Sequence, residues 1–111
     1  MPVYHGTDEV SAQSIVAGGL DQVAREKAAG GAGSDPKGFS VTDRLDDARD
    51  WAHWRALERL GNADRGIVLE ADPNALPLTA GQPGQWADPG ERFIRPEDFP
   101  LVGPGVFQAA P

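Results

Sequence analysis

Apolar positions fall in short clusters along the chain, separated by polar and glycine- or proline-rich stretches, and the clusters predict the elements. Pro2-Val3-Tyr4-His5-Gly6-Thr7 predicts a short strand, because Val and Tyr suit a half-buried pleat, with Gly6 ending it in a turn. Thr7 or Asp8 caps a short helix over Val10 to Ala17, which Gly18 and Gly19 stop, and Leu20 tucks back onto the core. Residues 21–37 read as a long surface loop, and a loop of that length in so small a domain is either functional or disordered. Gly38-Phe39-Ser40-Val41-Thr42 predicts a second strand.

The clearest helix follows. Leu45, Ala48, Ala52, Ala56 and Leu60 fall on one stripe at about 100° per residue. Thr42 or Asp43 caps its start, acids fill its first turn and Gly61 closes it. Trp51 lies on the shoulder of the stripe, and Trp54 points away from it. Gly66 to Asp72 predicts a third strand, and residues 73–90 a loop containing Trp86. Glu91-Arg92-Phe93-Ile94 predicts a fourth strand ended by Pro96, residues 96–100 a turn, and Val102 to Phe107 a final edge strand. The sum is α+β, with helices in the first half and strands at both ends.

Composition narrows the function. The 111 residues give room for one domain, so 1–111 is read as a single unit. Ten Lys+Arg against 17 Asp+Glu leave a formal charge of -7, with the basic residues scattered, so duplex DNA is not an expected partner. The absence of cysteine excludes a disulfide scaffold, a thiolate metal site and a thiol nucleophile. No apolar run approaches the ~20 residues of a membrane-spanning helix, and no signal-peptide pattern opens the chain. There is no HExxH, GxSxG or P-loop, and the glycines at 30–33 precede a strand instead of a helix. His5 and His53 make no metal cage, so no metal is expected. Taken singly, the remaining candidates read plainly: His5 as a turn histidine, His53 as a solvated helix residue, Trp51 as core, Glu91 as a solvated carboxylate.

The order of parts says more. A strand ending Tyr4-His5-Gly6-Thr7, a strand Gly38-Phe39-Ser40-Val41-Thr42 opening a helix with Ala48-Arg49-Asp50-Trp51-Ala52, and a late strand Glu91-Arg92-Phe93-Ile94 follow one another. In this the chain resembles the ADP-ribosyltransferase superfamily, in its diphtheria-toxin and poly(ADP-ribose) polymerase branch (the His-Tyr-Glu clade), and the small bacterial toxin domains of that branch. The likeness runs from residue 3 to about residue 99. It implies an ADP-ribosyltransferase-like split β-sheet sandwich with short helices, and NAD as substrate. The resemblance gives Gly6 the nicotinamide carboxamide, its missing side chain allowing a close ligand approach. It gives His5 the adenosine ribose, with Thr7 assisting. Phe39 and Ser40 fall in the second cofactor-binding motif. Trp51 matches the aromatic that stacks on the nicotinamide ring, and an indole face on a cation contributes about 1–2 kcal/mol. Glu91 matches the glutamate that bonds the nicotinamide ribose, with Glu70 and Glu97 also available for that role. Ser40 stands where the motif usually carries a tyrosine, which leaves Trp51, Tyr4 or Trp86 to wall the pocket.

The chemistry suits these residue types. Breaking the ribose–nicotinamide bond makes an oxocarbenium-like sugar, which a carboxylate stabilises without a metal. The resemblance therefore implies a mono-ADP-ribosyltransferase, a glycosyltransferase that modifies a macromolecular acceptor, protein or RNA. It implies a bacterial toxin or effector acting in the cytoplasm, whether as a cytoplasmic protein or delivered as the C-terminal domain of a secreted one. A cognate immunity protein would meet it, with Trp54, Trp86 and the acidic helix face as contact points. Two alternatives stand beside this: NAD hydrolysis with water as acceptor, and a non-catalytic module binding NAD, ADP-ribose or a protein, which Ser40 favours. A tRNA 2′-phosphotransferase-like member of the same broad fold would need several arginines around a phosphate, and arginines from Arg25 to Arg95 are present.

Overall fold

The short strands, one short helix and one longer helix expected from the sequence become a sheet with a helix on each face. A computed structural model describes residues 1–28, 39–80 and 90–111, with the backbone alone at 21–28 and 79–80. The elements run β1 (Val3–Asp8), α1 (Glu9–Ala28), β2 (Phe39–Thr42), α2 (Leu45–Leu60), β3 (Gly66–Ala71), β4 (Leu78–Ala80), β5 (Glu91–Ile94) and β6 (Gln108–Ala109). Short 3-10 turns lie at 63–65, 73–75 and 96–101. The strands form one sheet in the order β4-β5-β2-β1-β3-β6, antiparallel at every pairing among the described residues. The fold class is α+β.

Side chains alternate along each strand, so register assigns the two faces. Val3, Phe39, Val41, Leu69, Ala71 and Ile94 share one face and form the main core. Ile15 and Leu20 of α1 cover them, together with Phe99, Val102 and Phe107 of the C-terminal segment. On the opposite face α2 lies directly against the strands. A Cβ on Gly6 would stand 1.9 Å from the Ala48 carbonyl oxygen, and one on Gly66 would stand 2.7 Å from that of Ala52. Ala48, Ala52 and Ala56 are all buried, so the stripe seen in the sequence is a set of small residues that lets helix backbone meet strand backbone.

Several expectations hold. Asp8 caps α1 by accepting the Ser11 N–H at 2.9 Å, Gly61 closes α2 in the left-handed conformation at φ 68, and Asp46 and Asp47 fill the first turn of α2. Others need correction. Gly6 does not end β1, which runs two residues further to Asp8. Gly19 (φ 68) does break α1, but the helix resumes beyond it and covers residues expected in a loop. Ala24-Arg25-Glu26-Lys27-Ala28 are strong helix formers, and the Leu20 N–H bonds the Val102 carbonyl at 2.9 Å, fixing the restart. Thr42 does not cap α2 but accepts the Arg44 N–H at 3.1 Å, shaping the turn before it. Strand β4 arises inside the expected loop 73–90, where three residues find a partner in β5. Val102 to Phe107 is not a strand. Its Val102 and Phe107 side chains enter the core, Pro104 has no N–H for a ladder, and the Gly105 N–H bonds the Val16 carbonyl at 3.0 Å. The edge strand is the shorter β6 on β3. The glycine stretch 30–33 and Trp86 lie outside the described residues.

Candidate functional site

The sheet is weakest at its centre. β1 pairs with β3 in continuous register from Val3–Ala71 to Asp8–Gly66. On its other side, among the described residues, it meets β2 at Tyr4–Thr42 alone. Continued, that register would set His5 opposite Val41 and Gly6 opposite Ser40. Side chains bridge the seam instead. His5 Nδ1 lies 2.6 Å from the Ser40 carbonyl oxygen, and the buried imidazole stacks on Phe39 with centroids 3.8 Å apart. Phe39 packs in turn on Phe107 at 5.3 Å.

Arg55 reaches the same seam from α2. Its Nη1 donates to the Gly6 carbonyl and lies 3.4 Å from His5 Nε2. A guanidinium only donates and a carbonyl only accepts. Together they fix His5 as a neutral ring with its proton on Nδ1, donated to Ser40, and a lone pair on Nε2 toward Arg55. The Arg55 guanidinium carbon also stands 5.8 Å from the Trp51 ring centroid, within cation–π range. Trp51 and Arg55 are one helical turn apart on α2, so both side chains lie on the same flank of the helix.

His5, Gly6 and Trp51, three of the residues expected at a site, thus meet at Arg55, while Phe39 and Ser40 join them only through their contacts with His5. Gly6 needs its bare α-carbon for a different reason from the one expected. The space beside it is filled by Ala48 and Ala52 of α2, so the close approach is that of a helix. Thr7 is buried, and its hydroxyl accepts from Arg59 Nη1 at 3.4 Å. Glu91 is half-buried at the start of β5, opposite Thr42. Tyr4, Thr42 and Glu91 are registered across three adjacent strands, so Glu91 shares the α2-side face with Ser40 and Gly6. Two strand spacings, roughly 10 Å, separate it from β1. Glu70 pairs with Tyr4 from the other side, and Glu97 is exposed beside Arg95. Trp54 is 62 % exposed on the outer side of α2.

Two arginines that the sequence offered only among eight for a phosphate site hold this end of the molecule. Arg55 is one, and the spacing Trp51-x-x-x-Arg55 is the signal that could have found it. Arg59 is the other. It pairs with the buried Asp8 at 2.9 Å, and Asp8 also accepts the Ser11 hydroxyl at 2.7 Å. Burial by itself would raise the Asp8 carboxyl, but the Ser11 backbone and hydroxyl and the Arg59 guanidinium outweigh it and hold it down at about 2. A hollow at the sheet's far edge, lined by Met1, Pro2, Glu70, Asp72 and Gln108 among others, contains Glu70, an alternative for the ribose-binding glutamate, and none of the other expected site residues. Among the described residues no cluster of three or more metal-ligating side chains forms, and no helix is long and apolar enough to cross a membrane.

Comparison with known proteins yields no match to a family model, a curated protein or a solved structure.

Proposed function

We propose that the β1–β2 seam is the split of an ADP-ribosyltransferase-like fold, and that the domain cleaves NAD there and transfers ADP-ribose to a macromolecular acceptor, protein or RNA. One observation supports this above the rest: the strand pairing lapses where an imidazole of fixed tautomer, a backbone carbonyl and an indole face converge on the guanidinium of Arg55. In the proposed reaction the bond from ribose C1′ to the pyridinium nitrogen breaks and its electron pair leaves with nicotinamide. C1′ then bonds a nucleophile of the acceptor, whose proton passes to solvent. Trp51 stacks on the leaving ring. Gly6 offers its carbonyl to the carboxamide, and His5, tethered to Ser40, turns Nε2 toward the substrate. Glu91 reaches the nicotinamide ribose from the same sheet face and stabilises the positive sugar. The toxin reading follows the same line, with the exposed Trp54 offered to an immunity partner.

Incubating the protein with NAD and measuring free nicotinamide tests the proposal. Release by the native chain, falling at least roughly 100-fold in Glu91→Ala with an unchanged circular dichroism spectrum, is the expected outcome. Unchanged release by that variant removes Glu91 from the mechanism. A second reading, binding without turnover, is favoured by Ser40, which is buried at the seam where the resembled motif carries a tyrosine. Calorimetric binding of NAD with no nicotinamide released would select it.

A further inference from the structure

Arg55 engages Gly6 and Trp51, the groups on which the proposed function places the nicotinamide end of NAD, and lies beside His5. Its Nη1 donates to the Gly6 carbonyl, as a carboxamide N–H would. The same nitrogen faces His5 Nε2 at 3.4 Å, and the guanidinium lies over the Trp51 ring at 5.8 Å, where a pyridinium would stack. A guanidinium and a nicotinamide ring share what such a pocket selects: a flat shape, positive charge and an N–H edge. Trp51 and Arg55 sit one turn apart on α2, so one helix supplies both a wall and its occupant.

We propose that Arg55 is an internal ligand of the seam, a stand-in that holds the pocket until a flat cationic or carboxamide-bearing ring displaces it. The identity of the displacing ligand rests on the NAD reading, whereas the assignment of Arg55 rests on its own contacts. Arg55 is half-buried on a long, flexible stem, so its head can leave for solvent without moving α2. While it stays, the protein competent to bind is only a fraction of the total, and apparent affinity falls by that fraction. Arg55 is therefore a determinant of affinity at this site, acting against the substrate instead of on it.

The full-length chain and its Arg55→Ala and Arg55→Lys variants, matched for fold by circular dichroism, are titrated with nicotinamide, NAD and ethylguanidinium, following the tryptophan indole N–H signals by NMR. Ethylguanidinium should bind Arg55→Ala saturably and the native chain not. Nicotinamide should bind Arg55→Ala roughly tenfold or more tighter than the native chain, with Arg55→Lys between them. Should Arg55→Ala not fold, Arg55→Gln, which keeps a donor for the Gly6 carbonyl, carries the same titrations. Weaker nicotinamide binding by the variant overturns the proposal by making Arg55 a residue that holds the ligand, and so does ethylguanidinium that fails to bind it. Ethylguanidinium binding with neither nicotinamide nor NAD bound by any of the proteins leaves the internal ligand standing and removes the NAD reading.

Discussion

Gly6 and Gly61 show how one residue type answers two physical demands. Gly61 takes φ 68 at the end of α2 with nothing near its missing side chain. Gly61→Ala therefore meets only backbone strain, and a cost of about 1 kcal/mol in urea unfolding is expected. At Gly6 the obstacle is packing, since a Cβ would overlap the Ala48 carbonyl. Gly6→Ala must push α2 off the sheet, and we expect it to lose several times as much stability as Gly61→Ala, by about 3 kcal/mol or more. Equal losses in the two variants would refute the packing account. The sequence could not separate these cases, because a ligand, a helix and a tight turn all demand the same missing atom. Asp8 makes a separate prediction. Its carboxyl titrates near 3.8 in the unfolded chain and about 2 in the folded one. The stabilisation this represents, about 2 kcal/mol, is complete above about pH 4 and lost as pH falls toward 2. Asp8→Asn should be less stable at neutral pH by a similar amount, with a flatter stability profile between pH 4 and 2.

At the scale of elements, legibility followed periodicity. The stripe of α2 and its glycine stop, the β-rich runs of β1, β2, β3 and β5, and the 96–101 turn were all readable, because each is specified by its own residues. Strands β4 and β6, of three and two residues, were not. No period exists over so short a run, and both are strands only because β5 and β3 offer them an edge. Helix α1 beyond Gly19 was missed for the opposite reason: a glycine pair reads as a stop, and the restart depends on Leu20 being tied to Val102, far along the chain. Of the residues at the seam proposed as a site, His5, Phe39, Ser40 and Trp51 were picked out by the strand–helix order that carries the resemblance. Arg55 was not, because its spacing from Trp51 marks only a shared helix flank, and its other partners, Gly6 and His5, lie about fifty positions earlier.

At the scale of the whole molecule, one sheet is backed by a large apolar core on one face and by a single alanine-lined helix on the other. The charged clusters fasten the second arrangement. Arg59 ties α2 to Asp8 at the β1–α1 junction, and Arg65, just beyond α2, pairs with Glu9 at the start of α1. These contacts join α2 to β1 and α1, on one side of the seam. The strands β4, β5 and β2 lie on the other side, and among the described residues they meet β1 through one ladder pair, the imidazole of His5 and the apolar core that both sides share. A sheet stitched so lightly down its middle is two leaves on a spine. Amide hydrogen exchange should report it: protection along the β1–β3 ladder should outlast protection at the β1–β2 border, and His5→Ala should widen that difference. Loosening that border would leave the ladders of both leaves intact, hinged on the apolar core they share.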